Sequence, residues 1–134
     1  MKIRFGFVTN SSSSSFVIAF KKEDNDASKY SQFYNKILNL ILEASGGETC
    51  EAEIVTGIDG YNSIMMDWYG YGDMTLKQVI EDNGLKESYD KAVSYLQKGY
   101  SIAIKRIGYD DVTFEEILKT IAEDNEDFII LESN

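Results

Sequence analysis

Two segments in the first half of the chain show the alternation of apolar and polar positions that is typical of β-hairpins. In the first, apolar and polar or small residues alternate over 3–7, a polar run covers 9–15, and an apolar run covers 16–20. In the second, residues 51–58 and 61–68 alternate with a period of two on either side of Asp59-Gly60. Asp-Gly favours a tight type I′ turn, because both central residues of this turn need positive φ and Asp-Gly is one of the pairs that adopt it. The pattern predicts two hairpins, the first with a serine-rich loop.

Apolar residues at helical spacing predict about four helices. The clearest covers residues 28–44, where apolar side chains recur at i, i+3 and i+4 ahead of Gly46-Gly47. Capping residues and glycine stops mark three more, which begin near Thr75, Lys86 and Thr113. Later strands are predicted at residues 100–107 and 127–132. We therefore expect one α+β domain over residues 1–134, in which a mostly antiparallel sheet of two hairpins and two later strands packs against about four helices.

The composition of the chain excludes many chemistries. Its 134 residues include no His and a single cysteine, Cys50. Without His, the chain lacks the usual general base, the commonest metal ligand and the partner of Ser-His or Cys-His nucleophiles. Cys50 cannot form an internal disulfide, and we interpret it as structural or inert. We predict a protein that is not an enzyme and that uses no cofactor.

The distribution of apolar residues along the chain indicates the cellular location of the protein. The longest apolar runs are far below the ~20 residues that a membrane-spanning helix requires. The first residues also lack the apolar stretch and cleavage site of a signal peptide. Together with the lone cysteine, these observations predict a cytoplasmic protein without membrane contact.

The chain is strongly acidic, with 13 Lys and Arg against 23 Asp and Glu and a formal net charge of -10. Such a charge repels nucleic acid, so direct binding to DNA or RNA is not expected. The same charge could imitate a phosphate backbone in the basic groove of a nucleic-acid enzyme. The acidic residues chosen as partner contacts are Asp110, Asp111, Glu115 and Glu116. The alternative is solvated loops and helix N-termini, and no acidic cluster has the spacing of a calcium loop, so no metal site is predicted.

A glycine-rich aromatic segment follows the second predicted hairpin. Aromatic side chains are the usual anchors of protein interfaces because they bury a large area at little entropic cost. We therefore predict that this segment contacts a partner through Trp68, Tyr69, Tyr71 and Asp73. The alternative is an aromatic strand end that folds onto the core.

The serine run offers successive hydroxyl and backbone N–H groups that could hold a phosphate or carboxylate. The residues of this candidate anion site are Asn10, Ser11, Ser12, Ser13, Ser14 and Ser15. The alternative is a hairpin loop in which the side chains form only local hydrogen bonds. The run lacks the glycines and the following Lys of the common phosphate loop.

The first 17 residues read MKIRFGFVTNSSSSSFV. This segment resembles the opening shared by many small uncharacterised proteins of phages and bacteria, which runs G-F-V-S-N-S-S-S-S-S-F. Phe5 replaces a residue that is usually small and polar, and Thr9 replaces the usual Ser. The resemblance implies a phage or mobile-element setting and brings no activity with it.

These observations lead to one main hypothesis and two alternatives. The main hypothesis is a non-enzymatic phage or mobile-element protein that binds and inhibits a host protein. The expected partner class is a basic nucleic-acid enzyme of host defence, such as a CRISPR effector or restriction complex. The first alternative is a small-molecule or nucleotide-binding protein that uses the serine loop as an anion site. The second is an enzyme that uses carboxylates alone or with Mg²⁺.

Overall fold

A four-stranded antiparallel sheet organises the protein. The computed structural model describes residues 13–22, 28–108 and 112–133. The strands are β1 (Ser13–Phe20), β2 (Glu53–Val55), β3 (Ser101–Gly108) and β4 (Phe128–Ser133), in the spatial order β2-β3-β1-β4. β1 therefore lies between β3 and β4, and both of its neighbours are antiparallel to it.

Helices cover both faces of this sheet. They are α1 (Lys29–Glu43), α2 (Ile58–Tyr69), α3 (Leu76–Asp82), α4 (Lys86–Gln97) and α5 (Val112–Asp124). α1 and α5 pack on the face that carries Phe16, Ile18 and Phe20. α2, α3 and α4 pack on the face that carries Val17 and Ala19. Residues 16–20 are all buried, as expected for a strand that is apolar on both sides because both of its faces are covered.

The predicted α+β class is confirmed, and the described residues contain five helices where about four were predicted. The helix predicted at residues 28–44 is α1, and Ser28 caps it by accepting a hydrogen bond from the Ser31 N–H at 3.0 Å. The helices predicted from Thr75, Lys86 and Thr113 are α3, α4 and α5, with Thr113 inside the first turn of α5. The later strands predicted at 100–107 and 127–132 are β3 and β4.

The predicted second hairpin is wrong. Only Glu53–Val55 forms a strand, at the edge of the sheet, and residues 58–69 form helix α2. The segment fits both periods, since residues 64, 66 and 68 alternate while 58, 61, 65 and 68 recur at helical spacing. The helix is the structure that buries Tyr61 and Met65 together against the sheet. Asp59 then lies in the first turn of α2, where its negative charge interacts favourably with the helix dipole.

The predicted first hairpin requires a correction at its second strand. Residues 3–7 lie outside the described residues. Ser13, Ser14 and Ser15 belong to β1 instead of a loop, and they pair with Gly108, Ile107 and Arg106 of β3. β3 and β4 occupy both hydrogen-bonding edges of residues 16–20.

Candidate functional site

The aromatic residues predicted to contact a partner divide into two environments. Trp68 and Tyr69 lie in the last turn of α2, half-buried against the α2–α4 side of the core. Tyr71 follows the helix and is 60% exposed, and Asp73 is also exposed. Gly70 ends α2, and a Cβ at this buried position would lie 2.7 Å from the Met66 carbonyl oxygen. Trp68 and Tyr69 thus pack partly against the core at the end of a helix, on the face opposite α1, and not as a strand end.

The acidic residues predicted to contact the same partner lie on the other side of the sheet. Glu115 and Glu116 are in the first half of α5, which packs on the face opposite α2. Asp110 and Asp111 lie outside the described residues. Among the described residues, the sheet therefore separates Glu115 and Glu116 from Trp68 and Tyr69.

The serine residues of the predicted anion site also have different positions. Asn10, Ser11 and Ser12 lie outside the described residues, and Ser13–Ser15 extend along β1. A strand does not curl its backbone N–H groups around an ion, because they point alternately to the two neighbouring strands. Ser15 is buried on the sheet and faces a cross-strand basic residue, Arg106.

A surface that the sequence interpretation missed lies between α1 and α5. The two helices run in opposite directions over the sheet, because α1 follows the Phe20 end of β1 and α5 follows the Gly108 end of β3. They flank a cleft of about 180 Å³. Its walls and floor include Tyr30, Phe33 and Ile37 from α1, Ile121 and Asp124 from α5, and Phe128 from β4. We call this surface the α1–α5 groove.

The α1–α5 groove exposes large apolar side chains. Tyr30 is 62% exposed and Phe33 is 64% exposed, whereas Tyr34 and Leu38 on the inner side of the same helix are buried. Exposed aromatic side chains beside an apolar cleft are typical of protein interaction surfaces.

The apolar positions of α1 contain a sequence signal for this surface. The apolar positions of α1 cover more than one stripe, since residues 30, 33, 37 and 40 form one line and 34, 38 and 41 form a second. A helix on a sheet buries a stripe about 100° wide, so an arc of this width exceeds what one sheet face covers. The excess apolar residues are the exposed ones.

Charged side chains border the groove differently on its two helices. Asp124 lines the groove at the end of α5, and Glu116 and Glu123 are exposed on the same face of this helix as Thr120. On α1, Lys29 and Lys36 flank Phe33 at helical spacing and are exposed. The groove is therefore apolar along its length, acidic on the α5 side and basic on the α1 side.

Within residues 13–22, 28–108 and 112–133, no group of three or more His, Cys, Asp or Glu side chains is placed to hold a metal ion. None of the helices in these ranges has the length and apolar character required to cross a bilayer. Comparison with protein-family models, curated proteins and solved structures gives no match for this chain.

Proposed function

We propose that this protein acts by binding another protein, and that the α1–α5 groove is the contact surface. The observation that carries the proposal is the exposure of Phe33 and Tyr30, 64% and 62%, next to an apolar cleft of about 180 Å³. Full burial of a large apolar side chain contributes roughly 1.5–3 kcal/mol, and the exposed part of Phe33 and of Tyr30 forgoes about two thirds of this. A partner that covers them recovers this free energy, so the pair would serve as interface anchors.

The partner that fits this groove presents an apolar helix with basic residues along the side that meets α5. An amphipathic helix places apolar side chains along one stripe, which matches the extended cleft between two antiparallel helices. Glu116, Glu123 and Asp124 would face the basic flank of that helix. The net charge of -10 adds a long-range attraction to basic proteins, which increases the rate of encounter.

Nucleic-acid enzymes form the partner class that these charges favour, because such enzymes carry extended basic surfaces. We extend the proposal to inhibition of a host enzyme of this class by a phage or mobile-element protein. The support for this setting is the N-terminal segment MKIRFGFVTNSSSSSFV and the acidic composition. The lack of His supports a mechanism by binding alone.

A pull-down with matched variants tests the proposal. Tagged wild-type protein, Phe33→Ser and Tyr71→Ser are used to capture partners from a lysate of the natural host, washed at low and at high salt. Both substituted side chains are exposed aromatics, 64% and 60%. Phe33 lies on α1 and Tyr71 follows α2, and these two helices pack on opposite faces of the sheet. We expect one basic partner that wild type and Tyr71→Ser retain and that Phe33→Ser loses, with binding at least about tenfold weaker because a buried anchor is removed.

The other outcomes would show which part of the proposal is wrong. If Tyr71→Ser loses the partner and Phe33→Ser retains it, the contact surface is the segment around Tyr71 and the proposal for the groove is wrong. If all three proteins capture the partner equally, neither surface is the contact surface. A third outcome is that both variants capture the partner at low salt and that the partner is lost at high salt. This would favour charge mimicry over apolar docking, since salt screens exposed charges.

A further inference from the structure

The cleft of the α1–α5 groove carries its charge at one end. Asp124 is the only charged side chain among the described residues that line this cleft, and it is exposed to solvent. Because α1 and α5 run in opposite directions, the last turn of α5 lies beside the first turn of α1, and Asp124 shares this end of the cleft with Tyr30. The structure therefore has a mainly apolar cleft that ends at a carboxylate.

The negative charge at this end of α5 is not compensated. The last turn of α5 has no basic residue, and it carries Glu123 and Asp124 instead. The free carbonyl groups at a helix C-terminus give it a partial negative charge, which favours a cation and disfavours a carboxylate. The ion pairs within the described part of the chain lie in α4, so neither of these two acidic side chains is paired there with a Lys or Arg. This end of the cleft therefore favours an added positive charge.

The remaining walls of the cleft can accept the hydrocarbon part of a ligand. Tyr30 and Phe33 are exposed at its rim, and Tyr34 and Phe128 are buried beneath it. Aromatic side chains attract cations through their ring faces, and apolar surface of this kind also packs against the methylene groups of long charged side chains. A cavity of about 150 Å³ holds one benzene molecule. The cleft, at about 180 Å³, therefore has room for one long side chain.

We propose that the cleft binds one Lys or Arg side chain of the partner, with the methylene groups between α1 and α5 and the cationic group at Asp124. Lys and Arg are the side chains that combine an apolar stem with a positively charged end. This inference rests on the proposed function and makes it more specific. The partner's anchor in the cleft is a basic side chain, and the apolar residues of its helix cover Tyr30 and Phe33 around that anchor.

Binding of small probes to the intact protein tests the cleft without the partner. The probes are hexylammonium, hexanol and hexanoate, which share one hydrocarbon chain and differ in the charge of the head group. Each is titrated into isotope-labelled protein at equal ionic strength, and the amide chemical shifts of Ile121 and Asn125 report occupancy of the cleft. The proteins compared are wild type, Asp124→Asn and Asp67→Asn. Asp67 is a matched control, because it is an exposed aspartate in the last turn of α2, which packs on the opposite face of the sheet.

The probes should bind in the order of their charge. We expect hexylammonium to bind wild type and Asp67→Asn roughly two- to fivefold more tightly than hexanol, as is typical of an exposed ion pair. Hexanoate should bind most weakly. In Asp124→Asn the preference for hexylammonium over hexanol should disappear, whereas the affinity for hexanol should not change. High salt should also reduce the preference in wild type, since it screens exposed charges.

Three results would overturn the cationic anchor. They are equal binding of hexylammonium and hexanol to wild type, a preference for hexylammonium that persists in Asp124→Asn, and the absence of any shift at Ile121 and Asn125 with all three probes. The pull-down with Phe33→Ser measures capture of the whole partner and does not depend on these titrations. Its failure would refute protein binding at the groove, whereas failure of the titrations would refute only the basic side chain in the cleft.

Discussion

Tyr100 links the starts of β3 and β4 through one hydrogen bond. Its hydroxyl donates to Asp127 Oδ1 at 3.1 Å, and Lys21 Nζ lies 4.9 Å from the centre of its ring. Loss of solvent around the hydroxyl, followed by the hydrogen bond and the negative charge of Asp127, raises the pKa of Tyr100 above 10.0. The folded protein therefore holds this proton more tightly than the unfolded chain does. The resulting stabilisation is complete below the unfolded pKa and is lost as the pH rises through the folded one.

Replacing Tyr100 with Phe should reveal this dependence. At pH 8 we expect Tyr100→Phe to lower the free energy of unfolding by about 0.5 kcal/mol, because the hydrogen bond to Asp127 is lost and solvent screens its contribution. The difference from wild type should shrink above about pH 10, where the wild-type hydroxyl begins to lose its proton. Urea unfolding over a series of pH values measures it, with the exposed Tyr71→Phe as control. A difference that stays constant up to alkaline pH would show that Asp127 does not hold this proton.

At the scale of the element, α1 has two apolar sides with different roles. Leu38 is 1% exposed and belongs to the cluster beneath the helix, whereas Phe33 is 64% exposed. We expect Leu38→Ala to cost about 2–5 kcal/mol of stability through lost burial and a cavity. Phe33→Ala should change stability by no more than about 0.5 kcal/mol, as is usual for exposed positions. Chemical denaturation measures the free energy of unfolding of both variants. Comparable losses of stability in the two variants would place Phe33 in the core.

The helices with unambiguous local signals could be predicted from the sequence. In α3, the Thr75 side chain accepts from the Gln78 N–H at 3.2 Å and the Gln78 side chain accepts from the Thr75 N–H at 2.8 Å, as the capping box predicted. Gly84 and Gly99 follow α3 and α4 with φ of 64° and 91°, a conformation that favours glycine. These features depend on residues three or four apart, so the local sequence contains all the information.

Other features depend on contacts between distant residues and could not be predicted in this way. The segment 58–69 fits a strand and a helix equally by period, and packing of Tyr61 and Met65 on the sheet decides for the helix. The pairing of β1 with β3 joins Ser15 to Arg106, 91 positions later in the chain, and no local pattern indicates that partner. Likewise, the groove exists because α5 lies beside α1, which the pattern of α1 alone does not show.

At the scale of the whole molecule, the net charge of -10 opposes compact folding through mutual repulsion. The ion pairs among the described residues, Lys86–Asp90 and Lys91–Glu87, are exposed and contribute little. We therefore expect the melting temperature to rise when salt increases from about 0.01 M, where the Debye length is about 30 Å, to about 1 M, where it is about 3 Å. Differential scanning calorimetry in sodium chloride measures this, and a constant or falling melting temperature would show that repulsion is already balanced.

The sheet divides the molecular surface into two independent sides. The α1–α5 groove faces one side, and the aromatic residues Trp68 and Tyr69 pack on the other, next to the exposed Tyr71. A partner of ordinary interface size covers about 800 Å² of each protein, which suffices for one side of a domain of this size. We therefore expect a partner to cover the groove and to leave the opposite side in contact with solvent.

Site-specific photo-crosslinking tests this claim most directly. A benzophenone amino acid is introduced at Phe33 in one protein and at Tyr71 in another, positions of nearly equal exposure, and each is irradiated with the partner bound. We expect position 33 to crosslink to a basic, apolar helical segment of the partner and position 71 to yield no crosslink. Crosslinks from position 71 together with none from position 33 would contradict the account and assign binding to the opposite side of the sheet.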